Sequence, residues 1–144
     1  MSDNRSARHL LAHSALLMLL AMPLAATASP LQSAVKRGEQ LFNHATFDGN
    51  GRSCATCHVA GGRSLGRLPN GKHFPSLTNA AAIFPRYKAR LHKVVTLEDQ
   101  VHGCIAGAMH GKPPAYGSEK LNDLVTYITS LAQGKPIAMG GRPE

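Results

Sequence analysis

Tryptophan is absent from this chain, and aromatics of every kind reach only 5%, four Phe and three Tyr among 144 residues. A single small domain with so few large side chains is short of core, so something other than its own aromatics is expected to fill the centre. Charge is sparse too, at 17%, which argues against a disordered tail or a chain-wide coiled coil. Acidic residues are the scarcest part of it, 8 Asp and Glu against 16 Lys and Arg, for a formal charge of +8. That sign favours acidic partners but does not by itself indicate nucleic acid.

The amino end accounts for part of this composition. Arg5 and Arg8 precede a leucine-rich run from Leu10 to Leu24 that closes on Ala26-Thr27-Ala28. This is the pattern of a secretory signal peptide, residues 1–28, cleaved after Ala28. Its strongly apolar part, Ala15 to Leu24, is ten residues long, whereas a membrane anchor needs about 20. The expected product is one exported domain, residues 29–144, with 14 basic and 7 acidic groups and no membrane span. Three cysteines remain in it: Cys54, Cys57 and Cys104. An odd number in an oxidising compartment cannot close into internal disulfides, so at least one has another task.

Apolar positions Leu31, Val35, Leu41 and Phe42 fit one face of a short helix, with Gly38 where a second helix crosses closely. Residues 43–53 are turn formers leading to Cys54, and residues 59–82, with four Gly and two Pro, read mostly as a long functional loop. A short helical stretch broken at Pro85 is expected over residues 80–93. Thr96 caps the clearest helix, with Asp99 as the N3 acid of a capping box. At about 100° per residue, Leu97, Val101, Cys104 and Ala108 fall within about 60° of one another, so Cys104 faces inward, while Met109 and His110 point elsewhere. A last helix opens at Ser118 and runs through Leu121, Leu124, Val125, Ile128 and Leu131 to a stop at Gly134. The remaining tail is irregular, either lying along the domain or free of it.

The strongest single feature is Cys54-Ala-Thr-Cys57-His58. C-x-x-C-H in an exported chain is the attachment pattern of c-type haem: each thiol bonds one vinyl group, and the adjacent histidine turns its imidazole onto the iron. A thioredoxin-like pair would want a preceding strand, and here a Gly- and Asn-rich loop precedes. Zinc would need four ligands, which Cys54, Cys57, His58 and Cys104 supply only loosely. A haem would also replace the missing aromatic core. For the distal ligand, Met109 and Met139 are candidates, although Met109 reads more simply as a gap-filler and Met139 lies in the tail. Cys104 competes better, unpaired on the apolar face of a capped helix and, as a thiolate, a soft and strongly donating ligand. A buried small hydrophobe and an intermolecular disulfide are its other readings.

The segments "FPRYKARLHKVVTLEDQVHGC" and "AMHGKPPAYGSEKLNDLVTYITSLAQGKPI", taken with the haem motif, resemble the amino-terminal haem domain shared by bacterial thiosulfate dehydrogenases and the A subunit of the sulfur-oxidising cytochrome complex. The resemblance covers nearly all of residues 29–144. It implies an all-α, class I cytochrome c-like fold, a few short helices around one covalently attached haem c. It also implies a His/Cys axial pair, with the proximal histidine at His58 and the family cysteine, which follows a "TLEDQV" helix start, at Cys104. Tyr87 and Arg90 match the family's "YPxYxxR" only in part, since this chain reads "FPRYKAR"; Lys112 and Pro113 match its "GKP", and Tyr127 falls in its last helix. Family enzymes bring a second haem domain or a partner subunit, whereas one haem motif is present here.

The expected function is therefore one-electron transfer by a periplasmic monohaem cytochrome, linked to sulfur-compound oxidation and paired with a redox partner, another cytochrome. The rival is a thiosulfate dehydrogenase, or its catalytic haem subunit, using Cys104, Arg90 and Lys112. Arg86, Lys88, Arg90, Lys93 and Lys112 would then form a positive approach for thiosulfate or a related anion. Arg90 serves equally well as a partner for a haem propionate, and the others as a docking face for an acidic protein. A gas-sensing haem is a third class, with no partner-transmitting segment to support it.

Overall fold

The computed structural model describes residues 28–144 apart from Pro69; the signal peptide expected at residues 1–28 falls almost wholly outside them. Four helices dominate: α1 (Pro30–His44), the short α2 (Ala80–Ile83), α3 (Leu97–Gly107) and α4 (Glu119–Leu131). Two small antiparallel ribbons complete the described elements. Strands β1 (Gly66–Arg67) and β2 (His73–Phe74) form one, and β3 (Arg86–Lys88) and β4 (Lys93–Val95) the other, in the register Arg86↔Val95, Tyr87↔Val94, Lys88↔Lys93.

Each long helix starts where local chemistry satisfies its free N–H groups. Ser29 accepts from the Gln32 amide while Gln32 reaches back to Ser29, and Pro30 occupies the first helical position, where a missing N–H costs nothing. The capping box expected at Thr96 and Asp99 is present. Tyr116 also donates to Asp99 Oδ1 at 2.9 Å, and these bonds together, the Thr96 N–H foremost, hold the Asp99 carboxyl below the usual aspartate range. Ser118 caps α4 as expected.

α1 and α4 form the main packing contact. Helix α1 runs straight through Gly38, which is buried against α4: a Cβ there would strike the Asp123 carbonyl and lie 2.7 Å from Tyr127 Cβ. The close crossing expected from this glycine is therefore what the fold contains. Beside it, Arg37 makes a two-pronged ion pair with Asp123, Nε to Oδ2 at 2.7 Å and Nη2 to Oδ1 at 2.8 Å, which pairs a carboxylate that is only 5% exposed. Phe42, Val101, Ile105, Leu121, Leu124, Tyr127 and Ile128 make up most of the core.

Two expectations need correction, and the open reading of the tail is resolved. Beyond Pro85 the chain is a β-ribbon, not an α-helix: only Ala80–Ile83 is α-helical, and the β-formers Tyr87, Val94 and Val95 pair across a 3₁₀ turn at Ala89–Leu91. The long loop of residues 59–82 carries a ribbon of its own. The tail lies along the domain, with the Ala138 and Gly140 amides donating to the Ala82 and Ile83 carbonyls at 2.8 and 2.9 Å and Asn79 Nδ2 donating to the Arg142 carbonyl at 2.9 Å.

Gly38→Ala forces α1 and α4 apart and is expected to cost about 3 kcal/mol, read as a lower denaturation midpoint; an unchanged midpoint would show that the crossing does not hold the domain together.

Candidate haem-binding cleft

A cleft of about 330 Å³ opens between the C-x-x-C-H turn, α2, β3, α3 and the core, within the range of about 300–1,000 Å³ typical of ligand pockets. Phe42, Ile83, Val101, Met109 and Ile128 line its apolar depth.

Cys54, Cys57 and His58 enter from one short segment. Residues Cys54–Thr56 form a 3₁₀ turn, and the His58 amide donates to the Cys54 carbonyl at 3.0 Å, so both thiols and the imidazole are displayed from one compact bend. The turn is anchored from behind. Gly62, buried with φ +83, packs on Phe42, Leu77 and Leu131, and Tyr127 O–H donates to the Gly61 carbonyl at 2.8 Å. Burial pushes the Cys54 thiol up to about 12, with the neighbouring Cys104 adding to the shift, so it is held protonated.

The His58 ring is fixed in rotation. Its Nδ1 lies 3.2 Å from the Pro75 carbonyl, which can only accept, so Nδ1 carries the proton and Nε2 keeps its lone pair. Phe74 meets the ring edge-on at 5.8 Å between centroids. Burial lowers the imidazole pKa, outweighing the Pro75 bond, and favours the neutral, ligating form.

Cys104 reaches the same cleft from α3. Gln100, one turn earlier, donates its Nε2–H to Cys104 Sγ at 3.0 Å, and Lys88 of β3 donates to Gln100 Oε1. Burial lowers the Lys88 pKa, while the nearby Cys104 sulfur opposes that shift. Met109 also borders the cleft, contrary to its expected direction. α3 ends at Gly107, so the helical projection does not extend to residue 109, and the chain turns Met109 back into the core at 4% exposure. Met139 is exposed and away from the cleft.

The predicted cations divide. Arg86 and Lys88 line the cleft; Arg90 and Lys93 are exposed on the β3–β4 ribbon, and Lys112 is exposed, 3.7 Å from Asp48. Arg86 is the residue that sequence patterning undervalued, because its Nε is buried with no hydrogen-bond partner. Such an atom is costly unless an anion meets it.

These features fit a haem. The cleft has an apolar interior, two thiols and a histidine at attachment spacing, a neutral imidazole with a free Nε2, and a guanidinium in want of an acceptor. A bare metal ion fits less well, since among the described residues no group of three or more His, Cys, Asp or Glu is gathered to hold one.

The family model of the SoxA/TsdA cytochrome c domain matches residues 37–137. This chain belongs to the SoxA/TsdA cytochrome c domain family. It is 28% identical over 117 residues to the thiosulfate dehydrogenase of Psychrobacter arcticus, an alignment covering 78% of this chain and 33% of the relative. The thiosulfate dehydrogenase TsdBA of Marichromatium purpuratum superposes with a TM-score of 0.64 at 28% identity, covering 79% of this chain and 25% of that one. SoxXA of P. pantotrophus superposes with a TM-score of 0.59 at 25% identity, covering 77% and 37%. The chain thus spans about a third of the length of the curated relatives it matches. A SoxA/TsdA cytochrome c domain has a helix-dominated class I cytochrome c-like fold and implies haem c. The two ribbons are additions to the all-α expectation, and β3 is the one that supplies Arg86 and Lys88 to the cleft.

Tyr127→Phe removes the donor to Gly61 and loosens the loop behind His58; the expected loss of stability is about 1–3 kcal/mol by urea denaturation of the haem-bound protein. A stability equal to that of the parent protein would show that this bond does not anchor the turn.

Proposed function

We propose that this chain is an exported monohaem cytochrome c domain that carries single electrons in sulfur-compound oxidation, with His58 and Cys104 as axial ligands. The observation that carries the reading is one cleft bordered by both thiols and the histidine of C-x-x-C-H and by a third cysteine from a separate helix whose sulfur is already hydrogen-bonded.

Cys54 and Cys57 would tether the haem, one vinyl group each, which would keep it from being lost outside the cell. His58 would offer Nε2 to the iron, with the Pro75 carbonyl setting its tautomer and ring orientation. Cys104 would offer its sulfur from α3. Met109, buried in the core cluster, borders the same cleft as a space-filler. Arg86 would neutralise a propionate through its unpaired Nε. When bound, the haem supplies a one-electron couple whose ferric form thiolate donation favours. The mature domain is residues 29–144, directed to the periplasm by the leader pattern of residues 1–28. Among the described residues no helix is long and apolar enough to cross a membrane. The names of the solved neighbours, TsdBA and SoxXA, support a partner subunit for this chain, a second cytochrome that gives or takes the electron.

A second reading, thiosulfate dehydrogenase or its catalytic haem subunit, is favoured by Arg86 and Lys88 on the cleft wall with Cys104 and by the names of the relatives. Joining two thiosulfate ions into one tetrathionate forms an S–S bond and releases two electrons, so a redox partner must take them in turn. In this reading Arg90 and Lys112, exposed and off the cleft wall, draw the anion in by their field and do not grip it.

Replacing Cys104 with Met tests the ligand assignment. The ferric haem stays low-spin, loses its thiolate-to-iron charge-transfer band and rises in potential, while Met109→Leu leaves the band in place. An unchanged spectrum in Cys104→Met removes Cys104 from the iron. An assay of tetrathionate formation with an artificial acceptor separates the two functions: the carrier gives none, and the enzyme gives turnover that disappears with Cys104→Ala.

A further inference from the structure

Lys88 and Gln100 have no part in tethering or ligating the haem, yet they form a hydrogen-bonded chain that ends on the Cys104 sulfur. Gln100 and Cys104 stand one turn apart on the same face of α3, which brings the Gln100 amide to 3.0 Å from Sγ. Lys88 comes from β3 and meets the other end of that amide. All three border the cleft. The lysine lies over the Phe84 ring, 6.0 Å from its centroid, which restricts where its ammonium can go.

Hydrogen-bond inventory fixes the direction of the chain. An ammonium can only donate, so it must face the amide oxygen; the amide nitrogen then necessarily faces the sulfur. Without Lys88 the amide is free to turn over and present its oxygen to the sulfur, which would repel a thiolate. A donor on a metal-bound thiolate draws on the lone-pair density the metal would otherwise receive, and hydrogen bonding around a cysteine sulfur is an established means of tuning a metal's potential. In a partly buried site this effect is larger than in water.

Resting on the His58/Cys104 reading, we propose that Lys88 and Gln100 are positioning residues: Lys88 locks the Gln100 amide, and the amide N–H donates to Cys104, limiting its donation to iron and holding the haem potential above that of an unassisted His/thiolate pair. The β3–β4 ribbon, which carries Lys88, thereby acts on the iron through α3 without touching it.

The test is a redox titration and ferric spectrum of the haem-bound protein, wild type and variants. Gln100→Leu, and Gln100→Glu, whose carboxylate keeps the shape and the Lys88 contact but offers the sulfur no donor, both lower the midpoint potential and move the thiolate charge-transfer band to longer wavelength. Lys88→Met shifts both in the same direction, and Lys88→Arg restores them. Because Lys88 acts through the amide, its effect shrinks by about half or more in the Gln100→Leu background. An unchanged potential in both Gln100 variants overturns the proposal, as does a Lys88→Met shift of the same size with and without Gln100, which would mark Lys88 as a bare charge. If the wild-type ferric spectrum has no thiolate band, the axial-ligand reading itself has failed, and the proposal fails with it; a wild-type band with unmoved variants overturns the proposal alone.

Discussion

Where α1 and α4 cross at Gly38, two backbones come close enough that no side chain fits between them. The site depends on that contact through a short series of steps. The crossing sets Tyr127 against Phe42, ring centroids 5.2 Å apart, and aims its hydroxyl at the Gly61 carbonyl. Gly61 and Gly62 follow His58 by three and four residues, so the bend that displays Cys54, Cys57 and His58 is pinned to the core of the helix pair. The Arg37–Asp123 pair holds the same crossing from the side. A glycine in mid-helix, locally unfavourable by about 1 kcal/mol relative to alanine, is in this way tied to the placement of the His58 imidazole.

The cleft combines a rigid half and a tunable half. The C-x-x-C-H bend is fixed by backbone hydrogen bonds and by the Pro75 carbonyl on His58, which leaves little freedom in where Nε2 points. Cys104 stands on a helix whose start is secured by Thr96 and Asp99, and its surroundings are polar side chains rather than backbone: Gln100 on the sulfur, Lys88 behind it, Arg86 on the wall.

Much of this was legible in the sequence because the signals are local. Caps at Thr96 and Ser118 depend on residues three apart, the attachment motif on five consecutive residues, and the inward direction of Cys104 on helical period alone. Gly38 was legible because its cost in a helix demands a compensating contact. What was not legible is non-local or lies where a period stops. The β3–β4 ribbon does not stand out from the sequence although Tyr87, Val94 and Val95 carry a strand signal, since the intervening turn at residues 89–92 has no strong turn formers apart from the left-handed His92. Met109 escaped because projecting it on a helical wheel assumes that α3 continues past Gly107. Gln100 looked like a polar residue of a capped helix, and Arg86 like one cation among five; the first acquires a role only when β3 brings Lys88 to it, the second only when its Nε is buried without an acceptor.

Iron K-edge X-ray absorption on the ferric haem-bound protein measures the central claim without passing through a variant. One sulfur at thiolate bonding distance with five nitrogen neighbours is the predicted coordination shell; a shell of nitrogen and oxygen alone, or a sulfur at the longer distance of a thioether, would contradict it.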